Sequence, residues 1–270
     1  MPTDKKKPLR PGRRVTAAKA SEPAEPAGSA PLAAVPPPLA FERTAAAAED
    51  EGFCAATAAV FAAVVAVDVF CVAEANAKGP GRGLDPLVRA ADLAERALQA
   101  EGGGEAEFTH LFAPRLPFDV LLREDERVTA ADLFLARYES DLPKEAVRAV
   151  KALVRAEDTV ARATWEGKAV TIEDLARGRA LPGPALWRRG TRPFVCRLVR
   201  LGNVHVPVAV ERVEGRVTVE TLLEELKVAS LVARDVLAAG GIRLRNPRKG
   251  FGLGARILSG PVDADGEDAG

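Results

Sequence analysis

Apolar positions in the first half of the chain recur three and four residues apart. Between Thr44 and Ala77 the residues Phe53, Val60, Val64, Val67 and Cys71 form one stripe, the spacing of a helix face. Lys78-Gly79-Pro80-Gly81 breaks it. Asp85-Pro86 opens a second helix, with a capping carboxylate and a proline in the first turn, and Gly102-Gly103-Gly104 closes it. The two are expected to pair as an antiparallel hairpin spanning 44–101, and no second copy at a fixed period extends it into an array. Phe108 to Leu122 is apolar but interrupted by Pro114 and Pro117, which suits a buried loop or short helix. Thr129 and Asp132 approximate a capping box before Leu133, Phe134 and Tyr138. Pro143 starts a further helix, with Val147, Val150 and Val154 facing inward.

The period then changes to two. Val160–Trp165 and Ala169–Ile172 read as strands around Gly167. Phe194–Leu201 and Val204–Val210 flank Gly202-Asn203, a hairpin signal. A two-residue turn sets Leu201 opposite Val204 and Arg200 opposite His205. One face then gathers Val195, Val199, Leu201, Val204, Val206, Val208 and Val210, interrupted by Arg197. The other carries Phe194, Cys196, Leu198, Arg200, His205, Pro207 and Ala209. Two partly apolar faces predict a small barrel-like or doubly covered unit. Thr218–Ala239 is a helix with Leu222, Leu226, Ala229, Val232 and Val236 as its stripe, ended by Gly240-Gly241. A short strand at Ile242–Arg245 and a Gly-rich segment follow. The expected fold class is α+β: a disordered basic Pro/Ala arm (1–43), a helical domain (44–157), a small β-unit with the long helix and Gly-rich segment (158–262) and an acidic tail (263–270).

Composition narrows the class. The 270 residues hold 38 basic and 38 acidic side chains and are 47% hydrophobic, which excludes a uniformly cationic coat and a wholly disordered chain. Cys54, Cys71 and Cys196 make no disulfide framework, so a reducing, cytoplasmic setting is expected. No apolar region follows the N-terminal basic residues closely enough for a secretory signal. The run Phe53–Ala73 carries Asp68 and much alanine, which favours a buried helix over a membrane span.

The balanced net charge hides an asymmetry. Residues 42–174 hold 15 basic against 25 acidic side chains, and residues 175–262 hold 16 against 6. No acid occurs between Leu175 and Val210, a window that includes Arg177, Arg179, Arg188, Arg189, Arg192, Arg197 and Arg200. A second acid-free window, Val236–Val262, holds Arg243, Arg245, Arg248, Lys249 and Arg256. Such windows suit an anionic partner, nucleic acid in particular; the competing reading is that the acidic half packs against the basic half.

Motifs add little catalytic chemistry. Lys249-Gly250-Phe251-Gly252 matches only the first half of an RNA-recognition signature, and Gly250–Gly254 has the wrong spacing for a dinucleotide fingerprint. A zinc site needs close Cys or His pairs that the two His and three Cys do not form. The expected register leaves Cys196 and His205 roughly 13 Å apart, too far for proton transfer. Ser lacks a nucleophile elbow, and the adjacent Glu124, Asp125 and Glu126 point in different directions. No catalytic residue, metal ligand or cofactor site is assigned.

Phe118, Leu133-Phe134-Leu135, Leu142-Pro143, the strand–Gly–strand ending in Ile172-Glu173-Asp174-Leu175, and Phe194-Val195-Cys196-Arg197-Leu198-Val199 together resemble a module of bacterial proteins, some of which carry a SEC-C zinc motif. The resemblance covers about a third of the chain and implies a helical segment feeding a small β-unit. The zinc motif is absent, so no metal site is implied.

The leading expectation is a non-enzymatic binding protein whose basic C-terminal half contacts an anionic partner such as nucleic acid. Arg188, Arg189, Arg192, Arg197, Arg200, Lys249 and Arg256 would touch phosphates, with Trp187 and Phe251 as stacking residues. The alternatives are an interaction adaptor that dimerises or docks a partner through the 44–101 hairpin, and an enzyme of unknown class with a site assembled from dispersed carboxylates, marked by a pocket where two acids, or an acid and His110, converge.

Overall fold

The computed structural model describes residues 35–76, 83–100, 115–123, 125–184, 192–212 and 218–246. Within them the chain runs through α1 (Pro37–Asp50), α2 (Ala55–Asn76), α3 (Asp85–Ala100), α4 (Leu116–Asp119), α5 (Ala130–Tyr138) and α6 (Lys144–Arg155). Then come β1 (Glu157–Glu166), β2 (Ala169–Asp174), β3 (Arg179–Gly183), β4 (Phe194–Leu201), β5 (Val204–Arg212) and α7 (Val219–Ala239). The α+β class expected from the two hydrophobic periods is the class observed.

The single helix expected from Thr44 is two. Pro36 and Pro37 start α1, because their fixed φ suits a first turn that needs no N–H; residues 37–43 are therefore helix rather than disordered arm, and residues 1–34 lie outside the described part. Gly52 reverses the chain at φ +89°, a conformation glycine adopts without a Cβ clash. The antiparallel hairpin is accordingly α1 with α2. The expected pairing of α2 with α3 is not what forms, since α3 packs instead on α4 and α7.

α2 is apolar almost all round, and its alanines let neighbours approach closely. It is long and apolar enough to cross a membrane by length and composition, and more than half of its most apolar 18-residue stretch is buried; the helix packs against α1, α4, α5, α6 and β5. Phe70 on α2 meets Phe134 and Tyr138 on α5, with ring centroids 5.8 and 6.2 Å away and the Arg137 guanidinium over the Phe70 ring. The capping box at α5 is complete: the Asp132 backbone N–H donates to Thr129 Oγ1, and the Thr129 N–H donates to Asp132 Oδ2 at 2.8 Å.

The sheet is antiparallel throughout, in the order β3-β2-β1-β4-β5. It curls until its edge strands, β3 and β5, meet. Val199, Val206 and Val208 on the outer face join the helical core, and Val160 and Val195 lie beneath Leu222 and Leu226 of α7. The inner face is small and apolar: Ala161, Ala163, Val170, Ile172 and Cys196. Glycine is required at Gly183, where a Cβ would stand 2.8 Å from Ile172 Cγ1.

The expected β4–β5 register holds at the turn, with Arg200 opposite His205 and Leu201 opposite Val204. It slips between Val195 and Arg197, where a bulge places Ala209 at φ +49°. Val210, expected among the inward valines, consequently points to solvent with 47% of its surface exposed. The short strand expected at Ile242–Arg245 reduces to one bridge, Leu244 to Val120.

Candidate anion-binding groove

α6 carries Arg148, Lys151 and Arg155 on one face, because residues three, four and seven apart on a helix share a side. The chain enters β1 directly after α6, so this basic face is held beside the sheet. Opposite it lie the β2–β3 turn, with Arg177 and Arg179, and the end of the β4–β5 hairpin, with Arg200, Gly202 and His205. Together they border a groove of about 580 Å³. Glu157 and Asp174 are its carboxylates, and Leu181, Leu198 and Leu201 are among its apolar lining. Six cationic side chains therefore converge where two acids do.

Asp174 organises the sheet side. It is buried and accepts from Thr159 Oγ1 at 2.7 Å, Arg177 Nη1 at 3.2 Å and Arg179 Nη2 at 3.2 Å. Burial works against its charge, but the Thr159 hydroxyl and the two guanidinium groups outweigh it and hold the carboxyl below its ordinary range. Arg177 also pairs with Glu157. On the helix side Lys151 pairs with Glu139 at 2.7 Å. Arg148 and Arg200 are exposed and have no carboxylate partner among the described residues.

His205 is half-buried at the sheet edge. Burial and the neighbouring Arg200 and Arg179 push its pKa down; the nearby Pro182 carbonyl and Asp174 oppose them without prevailing. The ring is therefore neutral at physiological pH.

The sequence-selected cations do not all gather here. Arg200 does. Arg192 is exposed just ahead of β4, and Arg188, Arg189, Lys249 and Arg256, with Trp187 and Phe251, lie outside the described residues. Arg197 is a correction. It is 3% exposed and donates to Asp119 Oδ1 at 2.7 Å and to the Ala156 carbonyl at 3.4 Å, so it fastens β4 to α4 and offers nothing to a ligand. Its outer-face position, which makes it an anomaly in the valine stripe, aims it into the protein. Arg245, in the second acid-free window, pairs with Asp132 of the helical part at 2.7 Å, so internal compensation accounts for some of the asymmetry.

Regional charge passes over Arg148, Lys151 and Arg155, because they belong to the acidic half of the chain. The signal that could find them is their own helical spacing. Cys196 is buried on the inner face, and burial pushes its thiol well above the ordinary range, so it is no nucleophile. Among the described residues no three His, Cys, Asp or Glu side chains gather as metal ligands.

Comparison of the chain with family models, with curated proteins and with solved structures finds no match.

Proposed function

We propose that this is a non-enzymatic binding protein whose groove between α6 and the curled sheet grips the phosphodiester backbone of a nucleic acid. One observation carries the reading: cations from a helix, a strand turn and a hairpin end converge on one concavity, with Arg148 and Arg200 lacking a carboxylate partner among the described residues. Guanidinium groups suit phosphate because their donors match its oxygens in pairs. The leucines of the lining give sugar or base an apolar surface to rest on. Contacts of this kind grip the backbone and read little sequence. Arg188, Arg189, Arg192, Lys249 and Arg256 enter this reading only as further candidate phosphate contacts from the sequence.

The test is binding of a labelled oligothymidylate at increasing salt. Affinity is expected to fall steeply, and Arg148→Ala with Arg200→Ala is expected to weaken binding and flatten the salt slope by about 0.7 for each phosphate left without its cation. Salt-independent binding, or an unchanged slope in the double variant, overturns the reading.

A second reading, an interaction adaptor, draws on the helical hairpin in its observed form. Phe61 and Val72 of α2 are 45% and 47% exposed. Self-association in sedimentation that Phe61→Glu abolishes would support it, and a monomer at all concentrations would dismiss it.

A further inference from the structure

His205 of β5 borders the groove. Its Nδ1 is sealed from water without a hydrogen-bond partner. A neutral imidazole that donates at one nitrogen bears a bare lone pair at the other. A proton placed on that lone pair would sit beside Arg200, its register partner on β4, and near Arg179 of β3. In the empty groove both cations resist it, and burial denies it water.

An anion between those cations reverses the balance, since a neighbouring negative charge favours the imidazolium as strongly as a neighbouring positive one disfavours it. We propose that a phosphodiester entering the groove draws a proton onto His205, so that the imidazolium becomes one further cation holding the ligand. This rests on the reading of the groove as a phosphodiester site. It adds that occupancy and protonation are one coupled event, and by linkage each promotes the other.

The other charged groups facing His205 cannot supply the same proton. Arg200 comes from β4, Arg179 from β3, Arg177 from the turn before it, and Arg148, Lys151 and Arg155 from α6. The carboxylates are Asp174 on β2 and Glu157 on β1. Guanidinium, ammonium and carboxylate groups ordinarily titrate outside the window from about pH 5.5 to about pH 8, and Asp174 is held lower still. A phosphodiester does not titrate there either. Asp68, which burial raises to about 7, belongs to α2 and does not line the groove. His110 is the only other histidine of the chain.

The experiment is calorimetric titration of the full chain with oligothymidylate at low salt, from pH 8 to pH 5.5, in buffers of different ionisation enthalpy. Affinity is expected to strengthen by roughly fivefold to tenfold on acidification, with net proton uptake on binding. His205→Gln, whatever its affinity at pH 8, should gain nothing on acidification and take up no proton on binding. His205→Lys, permanently charged, should bind more tightly than the native chain at pH 8, with no pH dependence. Binding that is flat with pH, or full proton uptake in His205→Gln, overturns the proton coupling and leaves the groove reading standing. No binding at any pH overturns the groove reading and the coupling with it.

Discussion

Arg197 on β4 and Asp119 at the end of α4 form an ion pair across 78 residues of chain, with 4% and 14% of their side chains exposed. A second pair, Arg115 with Asp158 at 3.2 Å, is equally enclosed, at 2% and 4%. Removing one partner of a buried pair strands the other charge without water. Asp119→Ala is expected to lower unfolding stability by about 3–5 kcal/mol, while the double replacement Asp119→Leu with Arg197→Met should cost much less. Urea unfolding of the three proteins measures both.

Asp174 links stability to acid. Its carboxyl sits below the ordinary range in the folded protein, so its contribution is present at neutral pH, begins to fade near the unfolded value of about 3.9 and is lost as pH falls through the folded value. Asp174→Asn should be less stable than the native protein at pH 7 and should show a shallower loss below pH 4. Equal pH profiles for the two proteins would contradict this account.

Asp68 has the opposite sign. Burial in α2 raises it to about 7, above the unfolded value, so its contribution favours folding at low pH and is lost as pH rises towards 7. Asp68→Asn should stabilise the protein at pH 8, with a ceiling of about 4 kcal/mol, and change little near pH 3.5. Thermal melts at the two pH values separate this from a general packing effect, which would appear at both.

Ala209 holds φ at +49° in the β5 bulge. An L-residue with a Cβ is strained there by roughly 1–2 kcal/mol. Ala209→Gly removes that strain and should raise stability by about 1 kcal/mol, partly offset by the extra freedom of the unfolded chain. A melting temperature that falls would show the bulge to be relaxed.

The elements that announce themselves do so through local chemistry. Gly202-Asn203 sets a two-residue turn and with it the Arg200–His205 pairing. Asp85-Pro86, the Thr129–Asp132 box and Thr218 mark the starts of α3, α5 and α7. What escapes depends on neighbours distant in sequence. The bulge opposite Arg197 is invisible to a period-two reading that assumes one residue opposite one, and it displaces Val210. β3, Arg179–Gly183, is short and contains Pro182, which disguises it as loop. The groove is half legible: the acid-free window holds Arg177, Arg179 and Arg200, but nothing local reveals that a helix from the acidic half brings Arg148 and Arg155 to face them.

The meeting of β3 with β5 has a bearing on self-recognition. An outermost strand ordinarily shows a row of unbonded amides on which a neighbouring chain can add itself. Here both outermost strands turn towards each other, and each contains an imino acid, Pro182 in one and Pro207 in the other, which subtracts a donor from that row. The architecture thus guards its own margins, and fibril growth by strand stacking would first have to prise the curl open.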